Sequence, residues 1–199
     1  MTWSLAEYVL HRFAGHAPRP RRSEVPEKKG WAAKLSPMQG DFGAEHQAHH
    51  TDTRYFTPTH RKVLAASIAL GTGAAVGSLL VGPRRALSFV LGFGAMYTAY
   101  EVEHRRTHTH APRGAYTRWT RRHHLYHHFG NPKMNHGVTS PIWDRVFGTY
   151  VEPDVIRVPV RHAPLWLLDE SGEVRAPYRG EYELAGVPRA QERAPAAAG

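Results

Sequence analysis

Residues 63–81 read VLAASIALGTGAAVGSLLV, a run without a single charged side chain. As an α-helix this run is about 28 Å long, close to the thickness of the hydrocarbon core of a bilayer. A second charge-free run, ALSFVLGFGAMYTAY at 86–100, follows after the four residues GPRR. The pattern predicts a transmembrane hairpin with helices over about 62–82 and 85–103. The alternative is a pair of buried core helices.

The distribution of charge agrees with a membrane hairpin. The 199 residues include 26 Lys and Arg against 17 Asp and Glu, which gives a formal net charge of +9. Such a balance is typical of nucleic-acid binders, and also of membrane proteins whose basic residues stay in the cytoplasm. Only Arg84 and Arg85 of the basic residues lie at the tip of the hairpin, and the other 24 lie on its polar flanks. We therefore expect a multi-pass membrane protein with both flanks in the cytoplasm and no nucleic-acid partner.

Histidine is the most informative residue type, because the chain holds 15 histidines and no cysteine. The lack of cysteine excludes disulfides, Cys-type zinc fingers and iron–sulfur clusters, so any bound metal needs nitrogen or oxygen ligands. Four short motifs contain ten of the histidines: HRFAGH, HQAHH, HRRTH and HLYHH. The candidate metal ligands are His11, His16, His46, His49, His50, His104, His108, His124, His127 and His128. We expect His60, His110 and His162 at the surface.

The spacing within the motifs is typical of metal-binding helices. In HxxHH the imidazoles stand at i, i+3 and i+4, and in HRRTH they stand one helical turn apart, so each motif faces one side of a helix. The two histidines of HRFAGH are five residues apart, which predicts a helix end where the backbone bends. Ten ligands exceed what one ion can take and suit two ions. The alternative is a histidine-rich membrane protein that binds metal without catalysis.

The hairpin brings these motifs together. Two motifs precede it and two follow it, and a hairpin returns the chain to the side that it left. We therefore expect the four motifs to form a helical cap at one membrane face, the cytoplasmic one.

The motifs, the hairpin between them and the segment NHGVTSPIWDRVFGTY at 135–150 resemble the fatty acid hydroxylase and sterol desaturase superfamily of membrane di-metal oxygenases. The resemblance implies an iron- and O₂-dependent hydroxylase or desaturase of a lipid such as a fatty acyl chain or a sterol-like lipid. In that superfamily the ten motif histidines hold two iron ions, and zinc is a possible substitute. A carotenoid hydroxylase, with similar histidine motifs, is the alternative within the enzyme class.

Three further residues are candidates for orienting the ligands. Glu101, His136 and Asp144 could each accept or donate a hydrogen bond at the ring nitrogen that does not face the metal. For Asp144, a structural cap or ion pair is an equal alternative, and for His136 an ordinary loop position is. A fused cytochrome b5-like domain has no room here, so the resemblance implies a separate electron donor, either a ferredoxin or a cytochrome b5-like protein with its reductase.

The predicted fold class is thus an all-α integral membrane protein with a transmembrane hairpin and a cytoplasmic histidine-rich helical cap. Residues 1–150 form the hydroxylase-like membrane domain in this prediction. Residues 151–199 form a C-terminal extension that is partly disordered, because the chain grows poor in apolar residues from Ser171 onward.

Overall fold

A computed structural model describes residues 1–18 and 42–186 of the chain. This part of the protein is mostly helical, as predicted. The α-helices are α1 (Thr2–Val9), α2 (Phe42–Thr51), α3 (Thr59–Val81), α4 (Pro83–Thr109), α5 (Ala115–Phe129) and α6 (Ile142–Val146). A π-helical turn, Leu10–Gly15, continues α1 directly.

Helices α3 and α4 form the predicted hairpin. Gly82 connects them with φ of 85°, a conformation that favours glycine, and Pro83 opens α4, where its missing N–H costs nothing. The helices approach closely at Gly77, where an added Cβ would lie 3.1 Å from the Cβ of Ala86. The hairpin therefore depends on small residues at its contact surface.

The two helices of the hairpin differ in the length of their apolar segments. Among the described residues, α3 is the one helix that is long and apolar enough to cross a membrane by length and composition. The apolar part of α4 is shorter, since Glu101 and Glu103 follow it. Helix α4 also runs six residues beyond the predicted end at 103, so HRRTH continues the same helix that leaves the hairpin.

The segment from 151 to 186 departs from the all-α prediction. Strand β1 (Ile156–Pro159) pairs in parallel with β2 (Tyr182–Ala185), with Ile156 opposite Tyr182. Short 3₁₀ turns at Val160–His162, Leu165–Leu167 and Ala176–Tyr178 connect them. Ile156, Arg157 and Val158 alternate between apolar and charged in the sequence and between buried and exposed in the structure, the period of a half-buried strand.

A hydrophobic core holds this segment against α5. Leu125 of α5 packs with Ile156, Val158 and Leu167, all almost completely buried. Tyr182, which lies beyond Ser171, is also buried there, so the chain remains packed at that point. The rest of the extension that was predicted to be partly disordered, residues 187–199, lies outside the described residues.

Candidate metal centre

All ten histidines of the four motifs meet in the structure, and they form two groups of five. Within each group, one ring nitrogen from every residue lies within 4.8 Å of those of the others. Site A consists of His11, His16, His46, His50 and His127. Site B consists of His49, His104, His108, His124 and His128. The grouping has the composition that two nitrogen-ligated metal ions require.

Each HxxHH motif is divided between the two sites. In α2, His46 and His50 belong to site A and His49 to site B. In α5, the division is reversed, with His127 in site A. Residues i and i+4 differ by about 40° around a helix, whereas i+3 and i+4 differ by about 100°. The i, i+4 pair therefore shares a site, and the i+3 residue reaches across to the other.

The π-helical turn explains the five-residue spacing of HRFAGH. An i→i+5 pattern aligns residues five apart, so His11 and His16 both reach site A. Gly15, inside this turn, permits the close packing of α2: an added Cβ would lie 2.9 Å from the His46 ring. The predicted bend at the helix end thus takes the form of a π-helical turn.

The hydrogen bonds of site A fit a metal ion between the rings. The Nδ1 atoms of His11 and His127 donate to the backbone carbonyls of His136 and Met134. A neutral imidazole has a single N–H, so both Nε2 atoms carry lone pairs, and they lie 3.0 Å apart. Two facing lone pairs repel unless a cation lies between them. Nitrogens bound to one ion at about 2.1 Å and at right angles lie about 3.0 Å apart.

Site B shows the same arrangement. His49 Nδ1 donates to the carbonyl of Tyr55 at 2.7 Å, and its Nε2 lies 3.1 Å from that of His108. The Nε2 of His124 is 3.0 Å from those of His108 and His128. His104 Nε2 is buried without a hydrogen-bond partner in the described part of the chain. The donor atoms of site B therefore also fit a cation.

Burial keeps these imidazoles neutral. Desolvation lowers the pKa of His46 to about 2, that of His50 to about 3 and that of His49 to about 4. The same cause holds the pKa of His127 and His124 well below the ordinary histidine value. Only a neutral imidazole offers a lone pair to a metal, so the cluster is ready for metal binding at pH 7.

These shifts predict how the metal-free protein responds to acid. The folded-state pKa of His46, His49 and His50 lies below the unfolded value of about 6.5, so the unfolded chain binds more protons below that pH. Stability is therefore complete above about pH 6.5 and falls as the pH drops towards 4. Thermal unfolding in detergent between pH 7.5 and 4.5 measures this. A His46→Gln variant should show a shallower dependence, and greater stability at pH 5 than at pH 7 would contradict the prediction.

The three predicted orienting residues have different surroundings. Glu101 forms an ion pair with Lys62 and does not bond to an imidazole of either site. His136 contributes its backbone carbonyl to His11, while its own Nε2 bonds to the carbonyl of Lys133 at 3.1 Å. Asp144 accepts from the amides of His136 and Gly137, each at 2.8 Å. Asp144 therefore fixes the loop that orients His11, instead of contacting a ligand itself.

Sequence reasoning missed two buried charged residues that position the site. Glu7 accepts hydrogen bonds from the indole of Trp3 and the amide of Thr139, and burial raises the pKa of Glu7 to about 7. Glu7 thereby ties α1 to the loop after His136. Arg121 is 1% exposed and pairs with Glu103 at 2.6 Å, which fixes α5 to α4. A lone glutamate in an apolar helix is a usable signal for Glu7, whereas the sequence does not distinguish Arg121 from the less buried Arg118 and Arg122.

A cavity of about 320 Å³ opens beside both sites. Its polar end touches two histidines of each site. Its apolar end lies between α3 and α4. The histidines that line it are His11, His46, His49 and His104, and the apolar lining includes Ala65, Ala66, Ala69, Leu70 and Phe93. At the rim, Arg61 pairs with Glu45 at 2.8 Å and Lys62 pairs with Glu101. The cavity therefore combines an apolar lining with histidines and charged pairs.

Comparison with known proteins identifies the family. The sequence model of the fatty acid hydroxylase family matches residues 1–149, which include all four histidine motifs. The chain belongs to this family. The resemblance that the motifs carry is thereby confirmed.

Relatives in the fatty acid hydroxylase family are considerably longer than this chain. A dihydroceramide fatty acyl 2-hydroxylase of Arabidopsis thaliana is 31% identical over 150 residues, covering 75% of this chain and 57% of the relative. The human fatty acid 2-hydroxylase is 28% identical, covering 74% and 37%. The solved structure of full-length scs7p, in which only the hydroxylase domain is visible, superposes with a TM-score of 0.51 and 26% identity over 78% of this chain and 54% of that one.

Proposed function

We propose that this chain is an iron- and O₂-dependent hydroxylase that acts on a fatty acyl chain of a lipid. The observation that carries the proposal is the pair of five-histidine sites beside a cavity whose apolar end lies between α3 and α4. The match to the fatty acid hydroxylase family and the hydroxylase names of the relatives support the same class of reaction. They also favour a fatty acyl substrate over a carotenoid.

The histidines would hold one iron ion in each site, and zinc could substitute for iron without supporting turnover. When bound, the two irons would supply the redox chemistry that activates O₂ and removes hydrogen from a C–H bond. The protein's part is to fix the ligands before that chemistry begins. The carbonyls of His136, Met134 and Tyr55 do this, because each accepts the Nδ1–H of a ligand and turns its Nε2 towards the site.

The cavity would position the substrate. The small side chains of Ala65, Ala66 and Ala69 leave room for an acyl chain beside α4. The paired charges at the rim would remain in contact with the polar head of the lipid, while apolar side chains exclude water along the chain. An acyl carbon near the polar end would then lie next to the histidines of both sites.

The proposed location is a membrane, with α3 and α4 both crossing it and the metal sites on the cytoplasmic side. The length and composition of α3 support one span, and the basic residues that flank the hairpin support the orientation. The proposed electron donor is a separate ferredoxin or a cytochrome b5-like protein with its reductase. A basic cytoplasmic face would attract an acidic carrier of this kind.

Mass spectrometry of total lipids from cells with and without the protein tests the proposal. A hydroxylase adds one oxygen atom to a lipid, whereas a desaturase removes two hydrogen atoms. Purified protein should contain two irons and consume O₂ with a reductant. Loosely held zinc or nickel without O₂ consumption would instead identify the non-catalytic metal-binding protein that the histidine content alone permits.

A further inference from the structure

The family match ends at residue 149, yet the chain continues into the packed segment 151–186. This segment contacts α4 and α5, which supply ligands to site B, and the turn that follows α2, the third element with a site B ligand. We call it the buttress. Its contacts fall on the turn after α2, on the end of α4 and on one face of α5.

The contact with α4 is a helix cap. The indole Nε1 of Trp166 donates to the backbone carbonyl of Thr107 at 3.1 Å, and both residues are buried. Helix α4 ends at Thr109, so it has no residue four positions beyond Thr107 to donate to that carbonyl. Trp166 thus satisfies a carbonyl of the last helical turn. Thr107 lies between the site B ligands His104 and His108, so the bond fixes the turn that carries both.

The contact with α5 combines apolar packing and ion pairs. Leu125, adjacent to His124, is fully buried in the core that the buttress forms. Glu181 of the buttress pairs with Arg118 and Arg122 of α5, each at 2.9 Å. These contacts fix the rotation of α5, and that rotation decides where His124 and His128 of site B point, as well as His127 of site A.

The contact with the turn after α2 completes the set. Thr53 donates to the carbonyl of His162 at 3.3 Å, and this turn includes Tyr55, whose carbonyl orients His49. The buttress therefore contacts α4, α5 and the turn that follows α2. Helix α4 carries ligands of site B alone, whereas α2 and α5 also carry ligands of site A.

We infer that the buttress is a positioning device for site B, with Trp166 as its principal residue, and that the Trp166 bond, which falls on the helix whose ligands belong to site B alone, sets the metal affinity of site B separately from that of site A. The inference rests on the proposed metal binding of both sites. Outer residues that orient metal ligands typically change affinity by about 10- to 100-fold. Loss of the Trp166 bond should thus weaken site B by about tenfold and leave site A unchanged.

The test uses the full chain in detergent, stripped of metal and titrated with Co²⁺ as the probe. A His127→Ala background isolates site B, and a His108→Ala background isolates site A. In the first background, Trp166→Phe should raise the Co²⁺ dissociation constant about tenfold and alter the visible spectrum of the bound ion. In the second background, the same change should leave both unchanged. Trp143→Phe is the matched control, because it also removes an indole hydrogen bond of 3.1 Å, in this case to Ser4.

The outcomes separate the possibilities. Trp166→Phe could instead weaken both sites equally and lower the unfolding temperature of the metal-free protein. The buttress would then only stabilise the fold in general, and the inference would be wrong. An unchanged site B would overturn it too. Wild-type protein that binds no Co²⁺ would overturn the proposed function itself. Thr53→Val, which removes a more exposed bond to the buttress, should weaken site B in the same direction and provides the test if Trp166→Phe fails to fold.

Discussion

Replacing His127 by alanine should empty site A and abolish lipid hydroxylation. The Nε2 of His127 lies 3.0 Å from that of His11, 2.9 Å from that of His16 and 3.1 Å from that of His50. No other residue of site A has so many neighbours at that distance among the described hydrogen bonds. Its side chain is completely buried, so alanine would leave a hole beside four imidazoles and no replacement ligand.

The expected loss of activity exceeds about 100-fold, the upper range for losing only an orienting partner of a ligand. Metal analysis of the purified variant should give at most one iron per chain in place of two. His60→Ala is the control, because His60 is exposed at the start of α3 and belongs to neither site. If His127→Ala retained two irons and full turnover, the assignment of ligands to site A would be wrong.

The sequence predicted the ten clustered histidines because the signal is local. Residues spaced i and i+4 share a helix face whatever the tertiary structure is, and the hairpin then requires that the motifs before and after it meet. The same local rule did not reveal the division into two sites. His49 belongs to site B and His127 to site A, each apart from the other histidines of its motif. Predicting this requires knowing how α2 and α5 face each other, which is a property of the packed chain.

Other features depended on contacts that sequence patterns do not contain. The carbonyls that orient His11 and His127 belong to residues 134–136, far from the N-terminal motif. Every residue has a backbone carbonyl, so the sequence does not show which carbonyl orients a ligand. Glu101 had the right spacing from His104 for an orienting role, but the nearby cation Lys62 is its partner. The strand pair in the buttress was predictable in part, since residues 156–158 alternate, but its parallel partner lies 26 positions further along the chain.

Replacing Ala66 by tryptophan should block the cavity without disturbing the metals. Ala66 lines the cavity from α3 and belongs to neither histidine site. The indole would occupy a large part of the 320 Å³ that we assign to the acyl chain. A substrate carbon displaced by about 1 Å from the reacting position can cost about 100-fold in rate. We therefore expect kcat/KM for a long-chain substrate to fall about 100-fold, while iron content stays at two per chain.

Ala75→Trp provides the matched control for this variant. Position 75 is nine residues further along α3, which places it about 180° around the helix from Ala66, and it does not line the cavity. The same added volume there should face lipid and change kcat/KM by less than about threefold, as surface substitutions away from a site usually do. Shorter acyl chains should recover part of the lost rate in Ala66→Trp, because they need less of the blocked space. Equal activity of the two variants on long chains would show that the acyl chain does not bind in this cavity. Because both variants would retain their iron, that result would not contradict the assignment of the metal sites.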